Sequence, residues 1–460
     1  MNALADSIAR LNLSNGATLS FHHHLRNGDD VMRQVLAACD TLGLRDLHIA
    51  PSSLFPCHAS LIPYLQNGTI TRITTSYMTG PLADAVRAGA LPHPVHLQTH
   101  GGRACAIASG RLPLDAAFIA APAVDAAGNL SGATGPEACG PLGYAMVDAA
   151  HAGRVVALTD HTADRLPRIC IPAKQVHNII HVPRIGEAAQ IASGTTGRAP
   201  SETGLIIADL TARLIAASGL LQNGFTFQTG AGATSLAVAR ALAPLMAADN
   251  IKGDFAAGGI TGALVDMFQS GLFQRLWDVQ AFDLAAVQSY AQDADHLAMS
   301  ADQYANPERP DNIANQLDVM ILGAAEVDMD FNVNVTCASD GRIIGGSGGH
   351  ADTGAGATLP IVTTPLVAGG FAKLVKTLTC LTTPGATIGA LVTEAGIAIH
   401  PSRPDLAQAA RAAGLPVKDI NDLRRLAKAH ASKAPPPRTT GRIIAHCEAP
   451  DGTVIDHICA

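Results

Sequence analysis

Residues 115–132 read DAAFIAAPAVDAAGNLSG, and residues 318–334 read DVMILGAAEVDMDFNVN. Asp115 stands opposite Asp318, Asp125 opposite Asp328 and Asn129 opposite Asn332, all at an offset of 203 residues. Each stretch puts a short apolar run, of the kind that forms a strand buried on both faces, ahead of an Asp-to-Asn turn. Strand-like runs at 154–159 and 359–363 follow at nearly the same offset, and a Gly-Gly pair occurs in each half, at 101–102 and 348–349. A duplicated α/β unit accounts for all of these. The expectation is two related halves, 1–195 and 200–430, facing each other across a cleft into which both sets of strand-end loops point.

Outward from that repeat, helical periodicity occurs at 2–12, 29–43, 203–220, 234–247, 262–276 and 418–431. Short β-branched or apolar runs lie between, at 46–50, 69–75, 115–120, 154–159, 318–323, 359–363 and 389–393. Helices alternating with short buried strands indicate parallel or mixed sheets covered on both faces. The stretch AKAHASKAPPPRTT (428–441) reads as an exposed linker, and residues 431–460 as linker plus a tail. That tail, GRIIAHCEAPDGTVIDHICA, reads as a hairpin around Asp451-Gly452.

Composition narrows the function. Of 460 residues only 15% are charged, against roughly 25% in an ordinary soluble domain. Low charge density with 48% apolar residues excludes disorder and suggests a surface partly covered by partners. A net charge of −7 supplies no polybasic field, so neither nucleic acid nor an anionic membrane is an expected partner. The uncharged window 353–372 contains two prolines and four glycines, so it reads as strands and turns rather than a membrane span. Nine scattered cysteines, never as Cys-x-x-Cys, and an N-terminus without signal-peptide order suit the cytoplasm.

Several segments can carry chemistry, each with a plainer structural alternative. Gly101-Gly102 and Gly348-Gly349 can bring backbone N–H groups close to a reacting carbonyl, or simply make tight turns. Arg103 can clamp a carboxylate bidentately or sit in a structural ion pair. His350 can donate to a carboxylate or oxyanion. Asp125, Gly128 and Asn129 form a structural turn or a loop that brings N–H groups, with Asn129, to a substrate. Gly230, Gly232, Thr234 and Ser235 follow the run FTFQT and open a helix whose N-terminus can face an anion. This is not the dinucleotide fingerprint, because Ser235 stands where a third glycine is wanted. In His22-His23-His24, alternation puts His22 and His24 on one face, where they can meet an anion or only pack. No histidine set has zinc-like spacing, so no metal is expected.

Taken together these segments resemble the coenzyme A transferase superfamily and, within it, the citrate lyase alpha subunits. The matching stretches include FHHHLRNGD (21–29), THGGRACAIASG (99–110), AAPAVDAAGNLSG (120–132), CGPLGYAMVDA (139–149) and FTFQTGAGATSLAVAR (225–240). Further on come GGITGALVDMFQSG (258–271), AAEVDMDFNVNV (324–335), SGGHADTGAGA (347–357), VTEAGIAIHPSRPDL (392–406) and DGTVID (451–456). They run nearly end to end, in order. The resemblance implies two coenzyme A transferase-like α/β domains and a place in a large hetero-oligomer with a beta subunit and a gamma subunit, the acyl carrier protein. It implies exchange of the carrier's acetyl group for citrate, giving citryl-carrier and acetate. No cofactor is expected to be covalently bound to this chain. The thiol in play belongs to the carrier's phosphoribosyl-dephospho-coenzyme A group, for which coenzyme A or acetyl-coenzyme A can stand in as analogues.

Many coenzyme A transferases attack the thioester with a glutamate in a G-[IL]-H-[ST]-E-[ML] segment. The matching stretch here is GGITGALVDMFQSG, and no Glu occurs between Glu202 and Glu308. Asp266 is the nearest acidic residue, with Glu326 and Glu394 as further acidic candidates. The missing glutamate fits direct attack by the incoming carboxylate. The alternatives are a transferase or hydrolase acting on free acyl-coenzyme A, and a non-catalytic scaffold subunit.

Overall fold

A computed structural model describes residues 3–192, 199–436 and 440–460. The expected end of the first half at 195, and residues 437–439 of the proline-rich linker, lie outside the described residues.

The first half supplies β1 (Thr18–Phe21), β2 (Leu47–Pro51), β3 (Ile70–Thr75), β4 (Val95–Leu97), β5 (Ala116–Ala120), β6 (Ala123–Val124), β7 (Leu130–Ser131), β8 (Val155–Thr159) and β9 (Asn178–His181). Apart from the small β6–β7 ribbon, these strands lie parallel in the order β4-β3-β2-β1-β5-β8-β9. Strands such as AAFIA (β5) and VVALT (β8) are buried at every position, because helices cover both faces.

The second half supplies β10 (Thr226–Thr229), β11 (Gly253–Ile260), β12 (Phe273–Ala281), β13 (His296–Ala298), β14 (Val319–Gly323), β15 (Glu326–Val327) and β16 (Val333–Asn334). It continues with β17 (Leu359–Thr363), β18 (Val367–Ala368), β19 (Phe371–Ala372), β20 (Ala390–Thr393) and β21 (Gly396–Ile399). Its sheet runs β13-β12-β11-β10-β14-β17-β20-β21, with only the last strand antiparallel. Strand for strand, β10 to β14 and β17 and β20 repeat the order of β1 to β5 and β8 and β9. The duplicated α/β unit expected from the 203-residue offset is present in the topology.

Three expectations change. The helix expected over 262–276 stops at Gln269, and Phe273–Ala281 is β12, paired along most of β11. Gly271, at φ +78°, turns the chain out of the helix just past its end. The Gly-Gly pairs are not equivalent in the repeat, since Gly101-Gly102 follow β4 while Gly348-Gly349 precede β17. Finally, the tail hairpin, β22 (Ile443–Glu448) and β23 (Val454–Cys459), does not hang free. β22 pairs parallel to β4 through Ala445↔Val95, His446↔His96 and Cys447↔Leu97, so the C-terminus completes the first sheet.

The halves meet through equivalent elements. Helix His100–Ala108 follows β4 and helix Ala301–Ala305 follows β13; helix Gly143–His151 precedes β8 and helix His350–Gly356 precedes β17. Between them lies an apolar core with Ile107, Tyr144 and Val147 from one half and Val279, Met299 and Tyr304 from the other. Among the described residues no helix is long and apolar enough to cross a membrane.

Candidate active site

The repeated turns are built identically. Asp125 accepts the N–H of Ala127 and the backbone and side-chain N–H groups of Asn129, and Asn129 Oδ1 accepts the Ala173 N–H at 2.9 Å. Asp328 accepts the same set from Asp330 and Asn332, and Asn332 Oδ1 accepts the Gly385 N–H at 2.8 Å. Each Asn side chain pins its loop to its own half. Asn129, expected as a substrate contact, locks its turn here, and the contacts across the halves come from other segments.

The two glycine pairs do meet in space. Thr99 bridges Gly348, and the His100 N–H donates to the Gly348 carbonyl at 2.8 Å. However, Gly101 and Gly102 lie in the first turn of a helix capped by Thr99, and both amides are used: Gly101 N–H on Asp352 at 3.0 Å, Gly102 N–H on Thr99 Oγ1 at 2.8 Å. A Cβ on Gly101 would stand 1.8 Å from the Ala305 carbonyl oxygen, so this glycine lets two helices touch. In this structure the pair makes a packing contact, with both amides already bonded inside the protein. Gly348 spends its N–H on the Ser76 carbonyl, whereas the Gly349 N–H has no hydrogen-bond partner among the described residues.

Arg103 is buried against its own half. Its guanidinium forks onto Asp148 at 2.9 and 3.0 Å and donates to the Ala50 carbonyl at 2.7 Å, with the side chain 2% exposed. In place of an open clamp for citrate, Arg103 makes a buried ion pair, the plainer of its two expected roles. His22 and His24 lie on one face, as alternation predicts, yet they face each other and are sealed from solvent. His22 Nε2 accepts the Ala120 N–H, and burial pushes its imidazole down to about 4. His24 Nε2 is buried without a hydrogen-bond partner, and neither ring reaches solvent. His350 is engaged at both nitrogens, with Thr383 Oγ1 at 2.7 Å and the Gly323 carbonyl at 2.9 Å, and burial lowers it to about 4. These bonds clamp His350 to the end of β14.

Asp266 is exposed on helix Gly262–Gln269 and makes no contact with the ring around Gly349, Tyr304 and Arg26. Glu326 is buried and held by Asn334 Nδ2 and by the Thr379 N–H and hydroxyl at 2.8 to 3.1 Å. Glu394 accepts the Leu366 N–H at both oxygens. Both are loop-fastening carboxylates.

What the structure assembles instead is a ring of contacts at the C-terminal ends of the second sheet. A Cβ on Gly349 would lie 2.4 Å from Tyr304 Oη, and that hydroxyl accepts from Gln228 at 2.7 Å. Gln228 touches Gly258, and Gly259 touches Phe282. The guanidinium of Arg26 lies 4.7 Å from the Phe282 ring centroid and 5.3 Å from that of Phe55, which in turn meets Tyr77. Tyr77 closes the circuit against Gly345 and Gly346. His100 borders it, its Nε2 3.4 Å from where a Gly348 Cβ would be, and its Nδ1 is buried without a partner. Burial pushes His100 down to about 3, so it is neutral at ordinary pH. Arg26 adopts φ +52°, a left-handed conformation held by its surroundings. Arg26, His100 and Tyr304 did not stand out in the sequence, although the first two lie inside FHHHLRNGD and THGGR.

The Gly230–Ser235 loop follows β10, at the point where the connections from β10 and β14 diverge. Helix Ala233–Ala248 starts there with no side-chain cap, and residues 230–234 are half-exposed. A Cβ on Gly230 or Gly232 would meet nothing closer than 3.5 Å, so packing alone does not demand glycine there. Among the described residues no group of three or more His, Cys, Asp or Glu side chains is arranged to hold a metal ion.

Comparison with known proteins puts a family to this architecture. The sequence model of the family described as citrate lyase, alpha subunit (CitF), matches residues 1–460. The chain is 43% identical to the citrate lyase alpha chain of Escherichia coli (strain K12) over 458 residues, 98% of this chain and 89% of that one. It is 42% identical to that of Klebsiella pneumoniae, over 99% of this chain and 90% of the other. A solved Streptococcus mutans structure, described as an alpha subunit of citrate lyase in complex with citrate, superposes with a TM-score of 0.96 at 40% identity, over 100% of this chain and 90% of that one. A malonate decarboxylase alpha subunit from Acinetobacter baumannii shares the fold, with a TM-score of 0.69 at 15% identity, over 93% of this chain and 87% of that one. A duplicated α/β fold matched from end to end at this identity makes the chain a member of the citrate lyase alpha subunit family.

Proposed function

We propose that this chain exchanges the acetyl group on an acyl carrier thioester for citrate, yielding citryl-carrier and acetate, as one subunit of a complex with a beta subunit and a carrier gamma subunit. The observation that carries the reading is the ring around Gly349, Tyr304 and Arg26 in a chain that matches citrate lyase alpha subunits over its whole length. Arg26 is the cation for a citrate carboxylate. The Gly349 N–H, the Tyr304 hydroxyl and neutral His100 are donors aimed where the thioester oxygen takes on charge. The uncapped helix N-terminus at Gly232 suits a phosphate of the carrier's coenzyme A-like arm, with coenzyme A or acetyl-coenzyme A as analogues.

Transfer by direct attack balances without an enzyme nucleophile. A citrate carboxylate oxygen adds to the thioester carbonyl, and the tetrahedral oxyanion collapses, breaking the C–S bond to give a citryl–acetyl anhydride and the carrier thiolate. The thiolate then attacks the citryl carbonyl and acetate leaves. Among the described residues the ring carries no carboxylate, and nearby Asp352 and Asp148 are bound to Thr99 and Arg103. That supports the direct route over a glutamyl-type intermediate.

The test is to incubate the purified chain with acetyl-carrier, with and without citrate, then to reduce with borohydride and weigh both proteins. The expected result is acetate and citryl-carrier only when citrate is present, and no mass change on this chain. A reduced carboxylate mapped to any Asp or Glu peptide overturns the direct route. Absence of exchange overturns the transferase reading.

A further inference from the structure

We infer that a second cavity, sharing no lining residue with the ring or the Gly230–Ser235 loop, binds a polyphosphate of the nucleotide class. It encloses about 810 Å³, large enough for such a ligand. Its wall gathers five cations in a chain whose net charge is −7: Arg87, Lys376, Arg424, Lys428 and Lys433. Arg424 and Lys428 stand one turn apart on helix Ile420–His430, and Arg424 Nε is buried without a hydrogen-bond partner.

Two carboxylates share the wall with the five cations, and Asp340 faces Arg87 as well as Arg342, so the cations still outnumber the carboxylates. Glu326 is bound by Asn334 and Thr379, and Asp340 is paired with Arg342 at 2.9 Å. The nearby Asp422 is taken by Arg425. The cavity is therefore left with excess positive charge and guanidinium donors suited to phosphate. Leu374, Val375 and Ile458 add an apolar wall against which a base or ribose can lie. Several spaced charges next to an apolar wall match a nucleotide-like polyphosphate better than a small carboxylate, which would leave most of this volume unfilled.

The wall is drawn from both halves. Arg87 ends a helix of the first half, His457 and Ile458 belong to β23 on the first sheet, and helix Ile420–His430 belongs to the second half. A bound polyphosphate would thus tie the tail hairpin to the second half. Two sources share this chemistry: the phosphate-bearing arm of a carrier, which rests on the exchange reading above, and a free nucleotide.

The experiment uses the full chain. Calorimetric titrations with 3′-dephospho-coenzyme A, ADP and inorganic phosphate are run on the wild type and on Arg424→Gln/Lys428→Gln, with Lys376→Glu as a second variant should the double variant fail to fold. The expected result is saturable, salt-weakened binding of the first two ligands, lowered at least ~10-fold in either variant, the size of loss that removing charge-assisted contacts produces. Only the part of the binding that the variants weaken belongs to this cavity. If that part is tighter for dephospho-coenzyme A than for ADP it assigns the cavity to a carrier arm, and if equal to a free nucleotide, while binding that the variants leave unchanged belongs to the Gly230–Ser235 loop. No binding at millimolar concentration, or binding unchanged in the folded variants, overturns the inference. Acetate release is measured on the same samples. Exchange without nucleotide binding defeats only this inference, and binding without exchange defeats only the transferase reading.

Discussion

Arg103 and Arg26 show how much a side chain's setting outweighs its type. Arg103 sits in the more conspicuous motif, yet its guanidinium is spent on Asp148 and the Ala50 carbonyl. Arg103→Ala would leave Asp148 buried and unpaired, which costs about 3–5 kcal/mol. Chemical denaturation should show that loss, with citrate KM little changed in whatever folds. Arg26 is held over two aromatic faces at the ring. Arg26→Gln should raise citrate KM by roughly 10- to 100-fold, as loss of a charge-assisted contact does, while the melting transition moves little. Steady-state kinetics at varied citrate separate the two: an unchanged KM in Arg26→Gln removes Arg26 from the substrate. The apolar strand runs and the Asp–Asn turns were readable residue by residue because burial and turn chemistry are local. The partner of a guanidinium is not local, and no spacing in THGGRACA points to Asp148.

Among the elements, the paired turns and the tail hairpin have the clearest consequences. Asn129 and Asn332 make matching bonds, so Asn129→Ala and Asn332→Ala should cost similar amounts, about 1–3 kcal/mol each for the lost side-chain bonds. Urea melts of the two variants check this, and a large difference would mean that the turns are not energetic equivalents. The hairpin covers the edge of β4, so removing residues 440–460 uncovers a row of unpaired backbone groups and buried side chains such as Ile444 and Cys447 leave the core. The truncated chain should aggregate on size-exclusion chromatography, and a stable monodisperse product would contradict an integral role. The hairpin itself was visible in Asp451-Gly452 between apolar runs. Its docking was not, because the choice of edge depends on β4, about 350 residues away in the chain.

For the whole molecule, the acid response follows from imidazoles that burial keeps neutral in both halves. Burial pushes His22 down to about 4, His100 to about 3 and His350 to about 4. Groups with depressed folded values contribute stability that is whole above their ordinary 6.5 and is lost as pH falls toward 4 and 3. Asp352, raised by burial to about 7, works the other way: it keeps its proton in the fold, and its contribution fades as pH rises from 3.8 to about 7. His23, His24 and His48 are lowered as well, whereas His58 is raised to about 9 and works with Asp352. The lowered imidazoles still outnumber the opposing groups, so the melting temperature should drop steadily below about pH 6. Calorimetry between pH 4 and 8 checks it, and a flat acid limb would show that these imidazoles do not control stability. From the sequence alone came the duplicated α/β plan, the strand and helix sites near the repeat, and the family resemblance. The plan and the element sites follow from periodicity and local turn chemistry, and the resemblance from the ordered set of matching stretches, all of which the chain carries along its length. Which glycine packs, which arginine is buried, and which groups ring the site were decided only when the halves docked. The joint brings Thr99 against Gly348 and Gly101 against Ala305, contacts between residues about 200 or more positions apart, and those contacts fix what each side chain can reach.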